Sequence, residues 1–196
     1  MRHNRTNATL DVEFVTSAFA SQERRDTVKG SRAAKEAAIF IEQIFSEVIQ
    51  TELFPSSHIQ ISVTVLSNNG SALACAINAV TLACMQAGLP MRDLVFATTA
   101  SIADNVPVLD LNTLERNLLG IQVTLAQTHA QGEIIGLQSE AQISTENLDV
   151  VMKLAASGCN TIGGICKSFA RNYINALAET IESSGVADVA ALITTK

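Results

Sequence analysis

Apolar Leu10, Val12 and Phe14 alternate with Asp11 and Glu13, the period of a half-buried strand. A charged stretch follows, Ser21 to Ser31 (SQERRDTVKGS), with a glycine near its end. From Arg32 the period changes. Ala37, Ile41, Ile44, Phe45 and Val48 recur at i, i+4, i+7, i+8 and i+11, and Glu36, Glu42, Gln43 and Glu47 fall outside that face. This predicts an amphipathic helix from about Arg32 to Leu53. Phe54-Pro55 ends it, because the residue before a proline avoids the α region. Alternation returns at Ile59, Ile61, Val63 and Val65 and runs into Asn68-Asn69-Gly70. Ser71 to Ala87 then carry no charge and almost no side chain larger than Leu. Period two giving way to a helix at a glycine is a strand–turn–helix unit. Gly88 suits the helix C-terminus, and Pro90 prevents continuation.

Leu94 to Ile102 is apolar and β-compatible, and Asp104-Asn105 turns it into Val106 to Leu109 as a hairpin. Asp110 to Gly120 reads as a loop with some helical character. A second hairpin, Ile121 to Thr128 and Glu133 to Ser139, closes around Ala130-Gln131-Gly132. Ser144 caps a final helix from Thr145 to about Ile181, with Glu146 and Asp149 in its first turn, as the macrodipole favours. Gly158 and Gly163-Gly164 either bend that helix or admit a close neighbour. The order is an α+β arrangement in one domain, residues 9–182. Residues 1–8 read as a disordered amino terminus and 183–196 as a flexible tail.

Composition narrows the class. The 196 residues are 47% hydrophobic and 16% charged, which excludes disorder for the bulk. A mean hydropathy of +0.26 is high for a monomer, yet no run reaches the roughly 18 apolar residues of a membrane span. Apolar surface shared with neighbouring subunits accounts for both. The net charge of −6 argues against a free-standing nucleic-acid binder, so any nucleic-acid contact must be a local basic patch. Cys75, Cys84, Cys159 and Cys166 lack zinc-ligand spacing and read as buried free thiols. His58 and His129 have no ligand-spaced companions and read as solvated; no metal or cofactor is expected.

The wording of NGSALACAINAVTLACMQAGLPMRD, ending in Ala87–Asp93, adds what periodicity does not. It resembles the core of the RNase PH family, and within it the RNase PH-type subunits of the eukaryotic RNA exosome ring. In wording it is most similar to the ring subunit whose archaeal counterpart is catalytic. The resemblance runs from about Leu10 to about Tyr173. It implies the RNase PH fold (ribosomal protein S5 domain 2-like), a mixed β-sheet packed by helices. It also implies partners: other RNase PH-type subunits, S1/KH cap proteins, a hydrolytic ribonuclease and single-stranded RNA. The implied setting is nucleus, nucleolus and cytoplasm. Family members open with further strands, including an Asp-Gly-Arg-type segment, that this chain does not show. A sheet without them exposes an edge.

Phosphorolysis requires a phosphate grip, a carboxylate pair and a basic groove. Ser71 sits where a helix cap and an anion-binding corner coincide, and the adjoining donor position is Ala72. The resemblance places the carboxylate pair near Arg116 and Val123, with Glu115 beside the first; Asp110 falls at the strand end of that pattern. It places channel-lining bases where Arg24, Arg25, Lys29 and Arg32 cluster, with Ala33 in place of a second paired arginine. A solvated charged loop is the plainer reading of that cluster. The expectation is a non-catalytic ring subunit that supports 3′-to-5′ RNA processing, rRNA maturation included, by assembly and RNA channelling. The alternative is an active phosphate-dependent exoribonuclease using Ser71, Arg32, Asp110 and Glu115.

Overall fold

The computed structural model describes residues 7–20, 31–103, 106–119, 121–139 and 141–183. Its elements are β1 (Thr9–Thr16), α1 (Arg32–Val48), a 3₁₀ turn (Thr51–Leu53), β2 (His58–Val65), α2 (Ala72–Gln86), β3 (Val95–Ala103), β4 (Val106–Leu109), α3 (Thr113–Leu119), β5 (Val123–Thr128), β6 (Ile134–Ser139) and α4 (Thr145–Ser183). Both strand directions are present, sorted into two sheets. β1 and β2 pair in parallel from Thr9 opposite His58 to Thr16 opposite Val65. The other four strands form an antiparallel sheet in the order β4-β3-β5-β6.

Helices α1 and α2 lie between the sheets, and α4 covers the far side of the four-stranded one. Two cores result. Ile41, Ile44, Phe45 and Val48 of α1 meet Ile77 and Val80 of α2 and Val95, Ala97 and Ala126 of the sheet. Phe96, Ala100, Val123 and Leu125 point the other way, against Val151, Ala155 and Cys159 of α4. Alternation along β3 and β5 thus feeds opposite faces, and both strands are buried on both.

Several expectations are corrected. Helix α1 stops at Val48 rather than near Leu53, because Ile49 turns extended (φ −74°, ψ 131°) to bridge Met91. The helical character expected within the Asp110 to Gly120 loop is a defined helix, α3. Cys75 is exposed; Cys84 and Cys159 are buried, and burial pushes the Cys84 thiol up to about 11. His58 opens β2 as an exposed strand residue. His129 is not simply solvated: its ring meets Phe96 edge to face at 5.6 Å, and its Nδ1 is buried without a hydrogen-bond partner.

The glycines of α4 do not break it. A Cβ on Gly158 would lie 3.2 Å from Thr98 and Leu109 side-chain carbons, and one on Gly163 would lie 2.3 Å from His129 Nδ1. They admit the sheet to the helix. Gly88 behaves as expected (φ +69°): its N–H reaches Met85 O at 3.2 Å and Leu89 N–H reaches Cys84 O at 3.1 Å, the paired bonds of a left-handed helix stop. Residues 1–6, residues 104–105, where a turn is expected, and residues 184–196 lie outside the described residues. Ala8 is buried and donates to Thr51 O at 3.0 Å.

Candidate functional site

The corner after Gly70 is held from below by α2. Asn78, in the middle of that helix, makes two hydrogen bonds to Ala97: Nδ2 donates to its carbonyl at 2.9 Å and Oδ1 accepts from its N–H at 2.8 Å. One turn on, Thr81 Oγ1 donates to Val95 O at 2.7 Å. These bonds fix α2 along β3 and therefore the height of its first turn. Asn68 Oδ1 accepts from Gly70 N at 3.1 Å, turning the chain into the helix. Gly70 then bridges Asn112 at φ +133°, and Thr113 N–H donates to Asn69 O at 2.9 Å. The loop before α2 and the loop before α3 are stitched together.

Between them lies a cavity of about 360 Å³ lined by Ser67–Ala72, Cys75 and Asp110–Asn112. Ser71 occupies the N-cap position expected of it, but its side chain makes no cap bond to α2. Its Oγ lies 3.5 Å from Leu111 O. The first turn of α2 therefore has no side-chain cap, and the positive end of its dipole lies at the cavity.

Asp110, expected outside the carboxylate pair but beside Ser71 in the alternative site, is the carboxylate that lines this cavity with Ser71. Its left-handed backbone (φ +55°) and its N–H bond to Thr99 O at 2.8 Å fix the bend out of β4. The spacing Asn112-x-x-Glu115 carried a signal for α3 that sequence reasoning missed. Glu115 Oε2 accepts from Asn112 N and Asn112 Oδ1 accepts from Glu115 N, both at 2.9 Å, a reciprocal capping box. Glu115 is thereby committed to starting a helix.

Val123 sits wholly buried in the α4-side core, so that position offers packing rather than ligation. Arg116 lies on α3. Among the described residues no cluster of three His, Cys, Asp or Glu could hold a metal ion. Of the basic cluster, Arg24, Arg25 and Lys29 lie outside the described residues. Arg32 begins α1, is 93% exposed at its side chain, and pairs with Glu36 at 2.8 Å, a hydrogen bond that raises its pKa further. Such an exposed i,i+4 pair is weak, leaving the guanidinium open to exchange for a phosphate. Ser31 caps α1, its Oγ accepting from Ala34 N at 3.2 Å.

Residues 1–90 match the 3′ exoribonuclease family, domain 1 (RNase PH). The Caenorhabditis briggsae protein named putative exosome complex component RRP41 is 32% identical over 166 residues, spanning 85% of this chain and 69% of that one. The chain belongs to the RNase PH family. Among its RNase PH relatives, human exosome complex component RRP41 is 32% identical over 167 residues, covering 85% of this chain and 68% of its own length. Exosome complex component ski6 of Schizosaccharomyces pombe is 32% identical over 162 residues, 83% and 66% of the two chains. Two solved structures share the fold. Rice Rrp46 superposes with a TM-score of 0.77 at 19% identity, covering 87% of this chain and 77% of that one. A chain of the Archaeoglobus fulgidus exosome with RNA bound to the active site gives 0.68 at 12% identity, covering 84% and 73%.

Proposed function

We propose that this RNase PH-family chain is a ring subunit of the RNA exosome without phosphorolytic activity of its own. Its contribution is to complete the ring and guide single-stranded RNA toward a separate hydrolytic ribonuclease, beneath S1/KH cap proteins. Processing and decay from the 3′ end follow, rRNA maturation included, in nucleus, nucleolus and cytoplasm. The names of the relatives support the assembly. The observation that carries the inactive reading is the cavity at α2: Asp110 is its one acidic lining residue, and nearby Glu115 is bound into a helix cap. The family resemblance calls for a carboxylate pair at this site, and the cavity supplies one carboxylate. Arg24, Arg25, Lys29 and Arg32 serve the RNA path in this reading.

Affinity purification with mass spectrometry tests membership, with ring and cap proteins expected to co-purify. Phosphate-dependent release of nucleoside diphosphates by a ring in which this chain is the sole candidate enzyme would overturn the inactive reading. One observation favours that alternative: Asp110 and Ser71 face one cavity at an uncapped helix start. On it, Asp110→Ala abolishes phosphate-dependent degradation and leaves assembly intact.

A further inference from the structure

Helix α4 outruns the sheet that supports it. Up to Gly163 its inward face is buried by β3 and β5, but from 171 to 180 every residue is exposed on every side. Ten residues of helix, about 15 Å, gain little stability from propensity alone and ordinarily depend on packing of an apolar face. That face is present. Phe169, Tyr173 and Leu177 stand at i, i+4 and i+8, with Ile165 and Ile174 at its borders, and these five side chains are 45–64% exposed. Together they offer roughly 500 Å² of accessible surface, well over half of the ~800 Å² that each partner contributes to a standard stable interface.

We infer that this stripe is the contact of an antiparallel, two-fold α4–α4 dimer between two copies of the chain. The stripe is self-complementary about Tyr173. Reversing the helix places Phe169 against Leu177 of the second copy, Leu177 against Phe169, and Tyr173 against itself, as an isologous interface requires. The i±4 ridge is the one that interdigitates in the commonest helix pairing. Charge permits it too. At about 100° per residue, Lys167, Arg171 and Glu179 lie about 120°, 160° and 120° from Tyr173, so no like charge meets its copy across the dyad. Tyr173 keeps a polar tip: its hydroxyl lies 3.4 Å from Gln86 Nε2 at the end of α2. The dimer concerns the chain by itself and stands apart from the ring assignment, so either can fail alone.

Sedimentation velocity of the purified chain over a concentration series should show a species of twice 20.8 kDa. Phe169→Asp and Leu177→Asp, on exposed positions that leave both cores untouched, should each weaken dimerisation roughly thirtyfold or more, with the helical circular dichroism of the parent. In a Cys75→Ser, Cys166→Ser background, Tyr173→Cys should form an intermolecular disulfide on mild oxidation, and Arg171→Cys, about 160° away, should not. A chain that stays monomeric at the highest concentration overturns the inference. So does a dimer that survives both Asp variants, or equal crosslinking at 171 and 173.

Discussion

Gly70 and Gly88 both have positive φ, but replacing each with alanine should give very different results. At Gly88 (φ +69°) a Cβ would meet nothing within 4 Å, so Gly88→Ala pays only the left-handed conformation, about 1 kcal/mol. At Gly70 (φ +133°) the Cβ would sit 1.9 Å from the Leu111 carbonyl oxygen, a backbone atom that cannot step aside alone. The strain of that backbone is of order 1–3 kcal/mol. Relieving the overlap also parts Gly70 from Asn112 and stretches the Thr113–Asn69 bond, at about 1 kcal/mol for each hydrogen bond lost. The sum for Gly70→Ala is about 4 kcal/mol. Urea unfolding followed by circular dichroism compares the two directly, provided the slope of each transition is unchanged. Equal losses for the two variants, or a loss under about 1 kcal/mol at Gly70, would refute the claim that this glycine joins the two loops of the corner.

Four further outcomes follow from the same contacts. Gly163→Ala should cost about 1–3 kcal/mol by driving a methyl into His129, and His129→Ala should relieve most of that loss in the double variant; thermal melts of the four-member cycle measure the coupling. Glu115→Ala should cost about 1 kcal/mol through the lost capping box, read as a lower urea midpoint. Thiol labelling should modify Cys75 first and Cys84 and Cys159 only on unfolding. Because burial raises the Cys84 thiol from 9.0 to about 11, stability is complete below pH 9 and falls as pH rises toward 11. Arg32→Ala should leave the melting temperature unchanged and lower the salt slope of RNA binding by roughly one; an unaltered slope would remove Arg32 from the RNA path.

Periodicity carried most of the fold because most side chains obey their burial. The alternation at Ile59, Ile61, Val63 and Val65 became β2, and the α1 stripe became the face holding Ile41, Ile44 and Phe45. It misplaced the end of α1 because Ile49 is as apolar as its helical neighbours; only a bridge to Met91, distant in sequence, turns it extended. His129 escaped for a similar reason, since Phe96 and Gly163 reach it through the fold. In the corner, residue types located Ser71 but not its bonding, as a serine before a helix reads as a cap whether or not its oxygen turns inward. Asp110 was undervalued because its place beside Ser71 comes from the Gly70–Asn112 bridge, which no local pattern announces.

The paired hydrogen bonds from Asn78 to Ala97 have a consequence for what the molecule avoids. β4 accompanies β3 only over Ala100–Ala103, so the N–H and C=O groups of β3 nearer its start would otherwise face outward unclaimed. Asn78 presents an amide where a neighbouring strand would present a peptide, and Thr81 takes the carbonyl of Val95. A side-chain amide in a helix thus serves as a counterfeit strand, closing a Val-Phe-Ala-Thr-Thr segment that would otherwise template sticking between chains.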